Sequence, residues 1–185
     1  MSSILKVDQI QNTDGQSALV IASDGSVNGV KYAEAASPSG RTITSTTMSS
    51  YEEGTFTPLF RTSASSTDIG SNYTNRVGEY IKVGKLVYFS FDMEATIGST
   101  SGNVCYIGGL PFISAASDPV TGIPTVRNCT CVTIPSGSIL KAFIVQSSNA
   151  MHLQSEVLTS GATTNISVFN SSGRANMCGS YITDE

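Results

Sequence analysis

An all-β fold is what this 185-residue sequence predicts: a β-sandwich or jelly-roll-like domain preceded by short strands and an extended linker. Three observations carry that expectation. From Lys85 onward apolar and polar residues alternate strictly, with Val87, Phe89, Phe91, Met93, Ala95 and Ile97 on one face and Tyr88, Ser90, Asp92, Glu94 and Thr96 on the other. That is the period of a long, half-buried strand. Shorter strand-like runs recur between Gly, Pro, Ser and Asn clusters, at the spacing of a sandwich or jelly roll. The composition is polar yet weakly charged, with 13% charged residues, 17 glycines and no tryptophan. Ser and Thr together make up roughly a quarter of the chain, well off the usual proportions, which suits sheets surfaced with hydroxyls.

Taken in order, residues 1–31 hold three short strand-like runs at 4–10, 18–21 and 26–31, separated by the turn signals Asn12-Thr13-Asp14-Gly15 and Ser23-Asp24-Gly25. So small a sheet is marginal in water unless something covers it, so Leu5, Val7, Ile10, Leu19, Val20 and Ile21 are candidate attachment or oligomer contacts. The alternative is a meander packed on its own main domain. Residues 32–50 shift to Ala, Ser, Thr, Pro and Gly, with Ile43 and Met48 the only core-like positions. This reads as a linker without a heptad repeat. The main domain is residues 51–185. Within it a run at 55–60 comes first, then 79–83 pairs with the alternating strand through Val83-Gly84-Lys85 as a hairpin. Further strands are expected at 103–107, 125–134, 139–146, 151–158, 165–169 and 175–183. The six prolines fall near strand ends and loops, where they cost no central ladder bond.

Three segments of the chain resemble a known group. The opening Tyr51-Glu52-Glu53-Gly54-Thr55-Phe56-Thr57-Pro58, the later Gly78-Glu79-Tyr80-Ile81-Lys82-Val83-Gly84 before a Val-rich strand, and Gly109-Leu110-Pro111-Phe112 are similar to bacteriophage tail-fibre and related virion surface proteins of marine-phage type. The start, from Ile4 to Gly15, resembles the N-terminal attachment segment of such fibres. The resemblance implies a homotrimer on the virion surface, assembled in the host cytoplasm, docked to tail or capsid proteins through its N-terminus and adsorbing to a host-surface glycan or protein.

Read on their own chemistry, the residues point away from several function classes. A net charge of −4 and a pI near 4.9 offer no basic stripe for phosphate backbones, so nucleic acid is not an expected partner. No signal-peptide pattern opens the chain and no segment approaches the ~20 apolar residues that span a bilayer, so synthesis in a cytosol without membrane insertion is expected. Asp92 and Glu94 lie two apart on one strand face, ~7 Å at ~3.3 Å per residue, which overlaps the spacing of an inverting glycosidase pair. A solvated strand face explains them more simply. Cys129 and Cys131 lack the second ligand pair of a zinc site, and with Cys105 and Cys178 are read as free thiols of a reducing compartment. His152 alternates with Met151 and Leu153 and is expected to face solvent. Catalytic, cofactor and metal residues are therefore assigned to none.

Tyr80, Tyr88 and Tyr106 fall opposite apolar positions on their strands, and outward Tyr side chains anchor interfaces or stack on sugar rings. The expected function is that of a non-enzymatic short tail fibre. The alternatives are a capsid decoration or head fibre protein and, from another class, a carbohydrate-binding module.

Overall fold

The computed structural model describes residues 50–98, 104–116, 122 and 124–184, together with Ser23 and the backbone of five short strands before residue 50. The chain forms two compact units, Met1–Tyr51 and Glu52–Glu185. In the first, β1 (Gln9–Gln11), β2 (Ser17–Ile21) and β3 (Val27–Asn28) make an antiparallel sheet in which Ile10 lies opposite Leu19 and Ile21 opposite Val27. A second pair joins β4 (Val30–Lys31) to β5 (Thr47–Met48). The stretch read as linker thus contains a strand, because Met48 returns opposite Val30.

The second unit is all-β: two antiparallel sheets packed against each other. One sheet orders its strands β11-β15-β9-β8-β6, from β6 (Tyr51–Phe56), β8 (Gly70–Val83), β9 (Leu86–Ile97), β11 (Thr125–Cys129) and β15 (Ser172–Ile182). The other runs β12-β13-β10-β7, from β7 (Leu59–Arg61), β10 (Tyr106–Gly108), β12 (Ser138–Ile144) and β13 (Ala150–Val157), with β14 (Thr163–Asn165) also paired to β13. We call these the long-strand and short-strand sheets. No helix occurs among the described residues, so none there is long and apolar enough to cross a membrane.

The hairpin β8–β9 is the spine. Tyr80 pairs with Phe89 and Val83 with Leu86, leaving Gly84 and Lys85 as a two-residue loop. Gly84 takes φ +58, the positive value at the first loop position that a II′-type hairpin demands of a glycine. The polar residues from Gly70 to Arg76 form the first half of β8, well upstream of the expected start of the hairpin at residue 79. Polar residues sit there because β8 is broken by a bulge between Ser71 and Asn75 and shows water much of its outer face.

Alternation along β9 does what its pattern demands. Val87, Phe89, Phe91, Met93, Ala95 and Ile97 all point into the core, where they meet Phe60, Ile107, Ile144, Met151 and Leu153 of the facing sheet. Aromatic contacts order that core: Phe89 lies 6.3 Å from Phe91 and 5.9 Å from Tyr181, and Phe60 meets Phe169 edge-on at 5.4 Å. The expected single run at 55–60 is instead two strands in different sheets. Pro58, with no N–H to give a ladder, marks the place where the chain crosses between them.

Candidate functional site: the outer face of the long-strand sheet

The three motif segments converge in space, and mostly for packing. Gly54 and Gly78 are where neighbouring aromatic rings lie on the backbone: a Cβ on Gly54 would stand 2.9 Å from the Tyr80 hydroxyl oxygen, and one on Gly78 would stand 2.7 Å from the Phe56 ring. Tyr80 then meets Phe112 edge-on at 5.3 Å, and the Lys82 ammonium lies 5.0 Å from the same Phe112 ring. Gly109, at φ +83, is pressed against the Thr57 carbonyl, where a Cβ would stand 2.1 Å away. Main-chain bonds finish the corner, for the Tyr181 hydroxyl donates to the Phe112 carbonyl at 2.9 Å and accepts from the Phe112 N–H at 3.1 Å.

Tyr80 therefore departs from the outward placement expected of it. It shares the inner side of β8 with Gly78 and Lys82, half-buried, its hydroxyl donating to Glu52. Apolar residues on both sides of β8 near its turn hide which face is the inner one, although the register with β9 is regular from Asn75 to Val83. Tyr88 does face outward and is 50% exposed. Tyr106 lies on the outer side of the short-strand sheet, half-buried, stacked on His152 at 4.7 Å. Leu5 and Val7 lie outside the described residues, and Ile10, Leu19, Val20 and Ile21 fall on the paired strands β1 and β2.

Around Tyr88 the sequence reading missed a set of partners. Val77, Ile81, Val83 and Leu86 are all 42% exposed or more, and cross-strand pairing sets Ile81 beside Tyr88 and Val83 beside Leu86 on that one face. The available signal was that this hairpin is apolar on both faces near its turn. A sheet in contact only with water has no use for that pattern. Beside the patch a concavity of ≈ 350 Å³ is lined by Glu53, Thr55, Glu79, Ile81, Tyr88 and Ser90, among others.

Farther along the same face, Asp92 is clamped. The Arg174 guanidinium donates through Nε to Oδ1 at 2.7 Å and through Nη2 to Oδ2, while Asn75 Nδ2 donates to Oδ2 at 2.8 Å. The hydrogen-bonded guanidinium holds the Asp92 carboxyl below the usual carboxylate range. Such a group anchors β15 to β9 and is poorly suited to carry a proton as a general acid.

His152 overturns its expected exposure. Only 6% exposed, it is stacked by Tyr106 on one side and met edge-on by Phe143 at 5.0 Å on the other, and burial lowers its pKa. Counting alternation assumed that an outer face is a wet one; here two rings close over it. The four cysteines are free thiols, with Cys129 Sγ and Cys131 Sγ 3.2 Å apart. Among the described residues no group of three or more His, Cys, Asp or Glu is arranged to hold a metal ion. No protein-family model, no curated protein and no solved structure matches this chain.

Proposed function

We propose that this chain is a non-enzymatic phage virion protein, a short tail fibre that anchors through its N-terminal strands, associates as a homotrimer and presents its β-sandwich for adsorption to a host surface. The observation that carries the self-associating part is the apolar outer face of the β8–β9 hairpin, where Ile81, Val83, Leu86 and Tyr88 stand together at roughly half exposure, with Val77 farther along the same face beyond Glu79. Contiguous apolar surface of this kind favours burial against a protein partner. The virion part rests on the resemblance of the three motif segments and of the N-terminal segment. Capsid decoration or head fibre proteins share this build, and labelling of whole particles distinguishes the locations.

A second reading, a carbohydrate-binding module, is favoured by one specific feature. The concavity beside Tyr88 combines an exposed ring with the carboxylates of Glu53 and Glu79 and the hydroxyls of Thr55 and Ser90, a mixture that suits a sugar ring and its hydroxyls. The two readings separate in one experiment. Light scattering of the purified chain should give a trimer, and Ile81→Asp combined with Leu86→Asp should give a folded monomer. A wild-type monomer at micromolar concentration that binds a glycan array through Tyr88 would replace the first reading with the second.

A further inference from the structure

We propose that Cys129 and Cys131 form a thiol–disulfide exchange site, one that reacts with a low-molecular-weight disulfide of the glutathione class and closes to an intramolecular bond. Their Sγ atoms stand 3.2 Å apart. On a regular strand residues two apart are separated by ~6.6 Å along the backbone, so the approach requires a bend. The bend is built. β11 ends at Cys129, and the chain at Thr130 and Cys131 lies directly over Gly173 of β15, where a Cβ would stand 2.4 Å from Cys131 Cα and 2.7 Å from the Thr130 carbonyl carbon.

Hydrogen bonds fix that bend in place. The Thr130 N–H donates to the Arg174 carbonyl at 2.8 Å, and Thr130 Oγ1 accepts from the Arg174 N–H at 2.9 Å. Asn170 closes the other side, its Nδ2 donating to the Thr130 carbonyl and its backbone N–H to the Cys131 carbonyl, each at 2.8 Å. Both thiols are thus held facing each other before any reaction. Bond formation at ~2.05 Å asks for a closing movement of about 1 Å.

The two thiols are unequal in a way that assigns their roles. Cys129 is partly exposed on β11, an edge strand, whereas Cys131 is fully buried. The contact between them lowers the pKa of Cys129 and raises that of Cys131. Cys129 is the attacking group and Cys131 the resolving one. In the first step the Cys129 thiolate attacks one sulfur of the oxidised reagent, forming a mixed disulfide and releasing one reagent thiolate. In the second, Cys131 sulfur attacks Cys129 Sγ; its proton passes to solvent base, the Cys129–reagent bond breaks, and the second reagent thiolate leaves. Two protein thiols lose two electrons and two protons, and one reagent disulfide becomes two thiols. Cys105 stays out of the exchange, its pKa pushed up to about 12 by burial in the core. Cys178 lies opposite Ser90 on the outer face, away from the pair. A bond closing so short a loop is strained and hence readily reduced, so the site follows the redox state of its surroundings. It does not depend on the virion reading.

The test uses the full chain, reduced and then incubated with oxidised glutathione, with thiols counted by alkylation after denaturation and located by peptide mass spectrometry. Two of the four thiols should be lost, with a Cys129–Cys131 link, no glutathione adduct, and full return on adding dithiothreitol. Cys131→Ser should instead trap glutathione on Cys129, Cys129→Ser should lose the reaction, and Cys178→Ser should leave it unchanged. Should Cys131→Ser fail to fold, the wild-type peptide map still decides. Four free thiols in treated wild type, a persistent glutathione adduct there, or a link through Cys105 or Cys178 would each overturn the proposal.

Discussion

Phe89 and Ser90 are adjacent in sequence and opposite in consequence. Phe89 is wholly buried between Tyr181 and Phe91, while Ser90 lines the outer concavity. Phe89→Ala should therefore cost ~3 to 5 kcal/mol through lost burial and the cavity left behind, and Ser90→Ala less than ~0.5 kcal/mol. Urea melts of the two variants check this. His152 gives a pH signature at the same scale. Its pKa is lowered by burial in the fold, so between the folded value and the ordinary value near 6.5 the unfolded chain takes up a proton that the folded chain refuses. Stability is then full above that ordinary value and falls as pH drops below it. Arg61, Tyr106, Lys141 and Glu156 share this outer face and remain in a His152→Phe variant, which should flatten the dependence of the urea midpoint between roughly pH 5 and 7.

At the scale of elements, two glycines with positive φ make a controlled comparison. Gly161, at φ +68, has open space where a Cβ would go, so Gly161→Ala meets only the backbone cost of about 1–2 kcal/mol. Gly109 carries the same cost and adds a collision with the Thr57 carbonyl, at the corner where β7 leaves Pro58 and pairs with β10. Gly109→Ala should be the more destabilising by a clear margin in thermal melts, with the corner rearranged. Equal melting temperatures would mean that the corner is not held by that contact. The Asp68 carboxylate supports the same corner, accepting from Arg76 Nη2 at 2.6 Å and from the Tyr73 hydroxyl at 2.8 Å, while Arg76 Nε reaches the Pro58 carbonyl at 2.9 Å.

For the whole molecule, the division at Tyr51 predicts independent folding of the larger unit. Among the described residues, the buried cluster that includes Phe60, Phe89, Met93, Met151 and Leu153 lies within Glu52–Glu185, and a core of that size suits a domain that folds by itself. A chain beginning near Ser49 should give a cooperative melt like that of the full protein. On the virion reading it should also fail to incorporate into particles, while residues 1–50 fused to an unrelated trimer should dock. Incorporation of the shortened chain at wild-type levels would place attachment in the sandwich and favour a decoration protein over a tail fibre.

The all-β class and the core face of β9 were legible in the sequence, because strict alternation in a half-buried strand is itself the physical requirement of one wet and one dry side. The hairpin turn at Gly84 was equally local. What tertiary structure alone decided were the features made by long-range neighbours. Pro58 switches the chain between sheets, Tyr80 turns inward onto Phe112, and His152 is roofed by Tyr106 and Phe143. Cys129 and Cys131 meet because the chain bends over Gly173, forty-two positions downstream of Cys131. The exposed strip of Val77, Ile81, Val83, Leu86 and Tyr88 has the same origin: each residue alone reads as core, and only the register of two strands shows that they share the outer side.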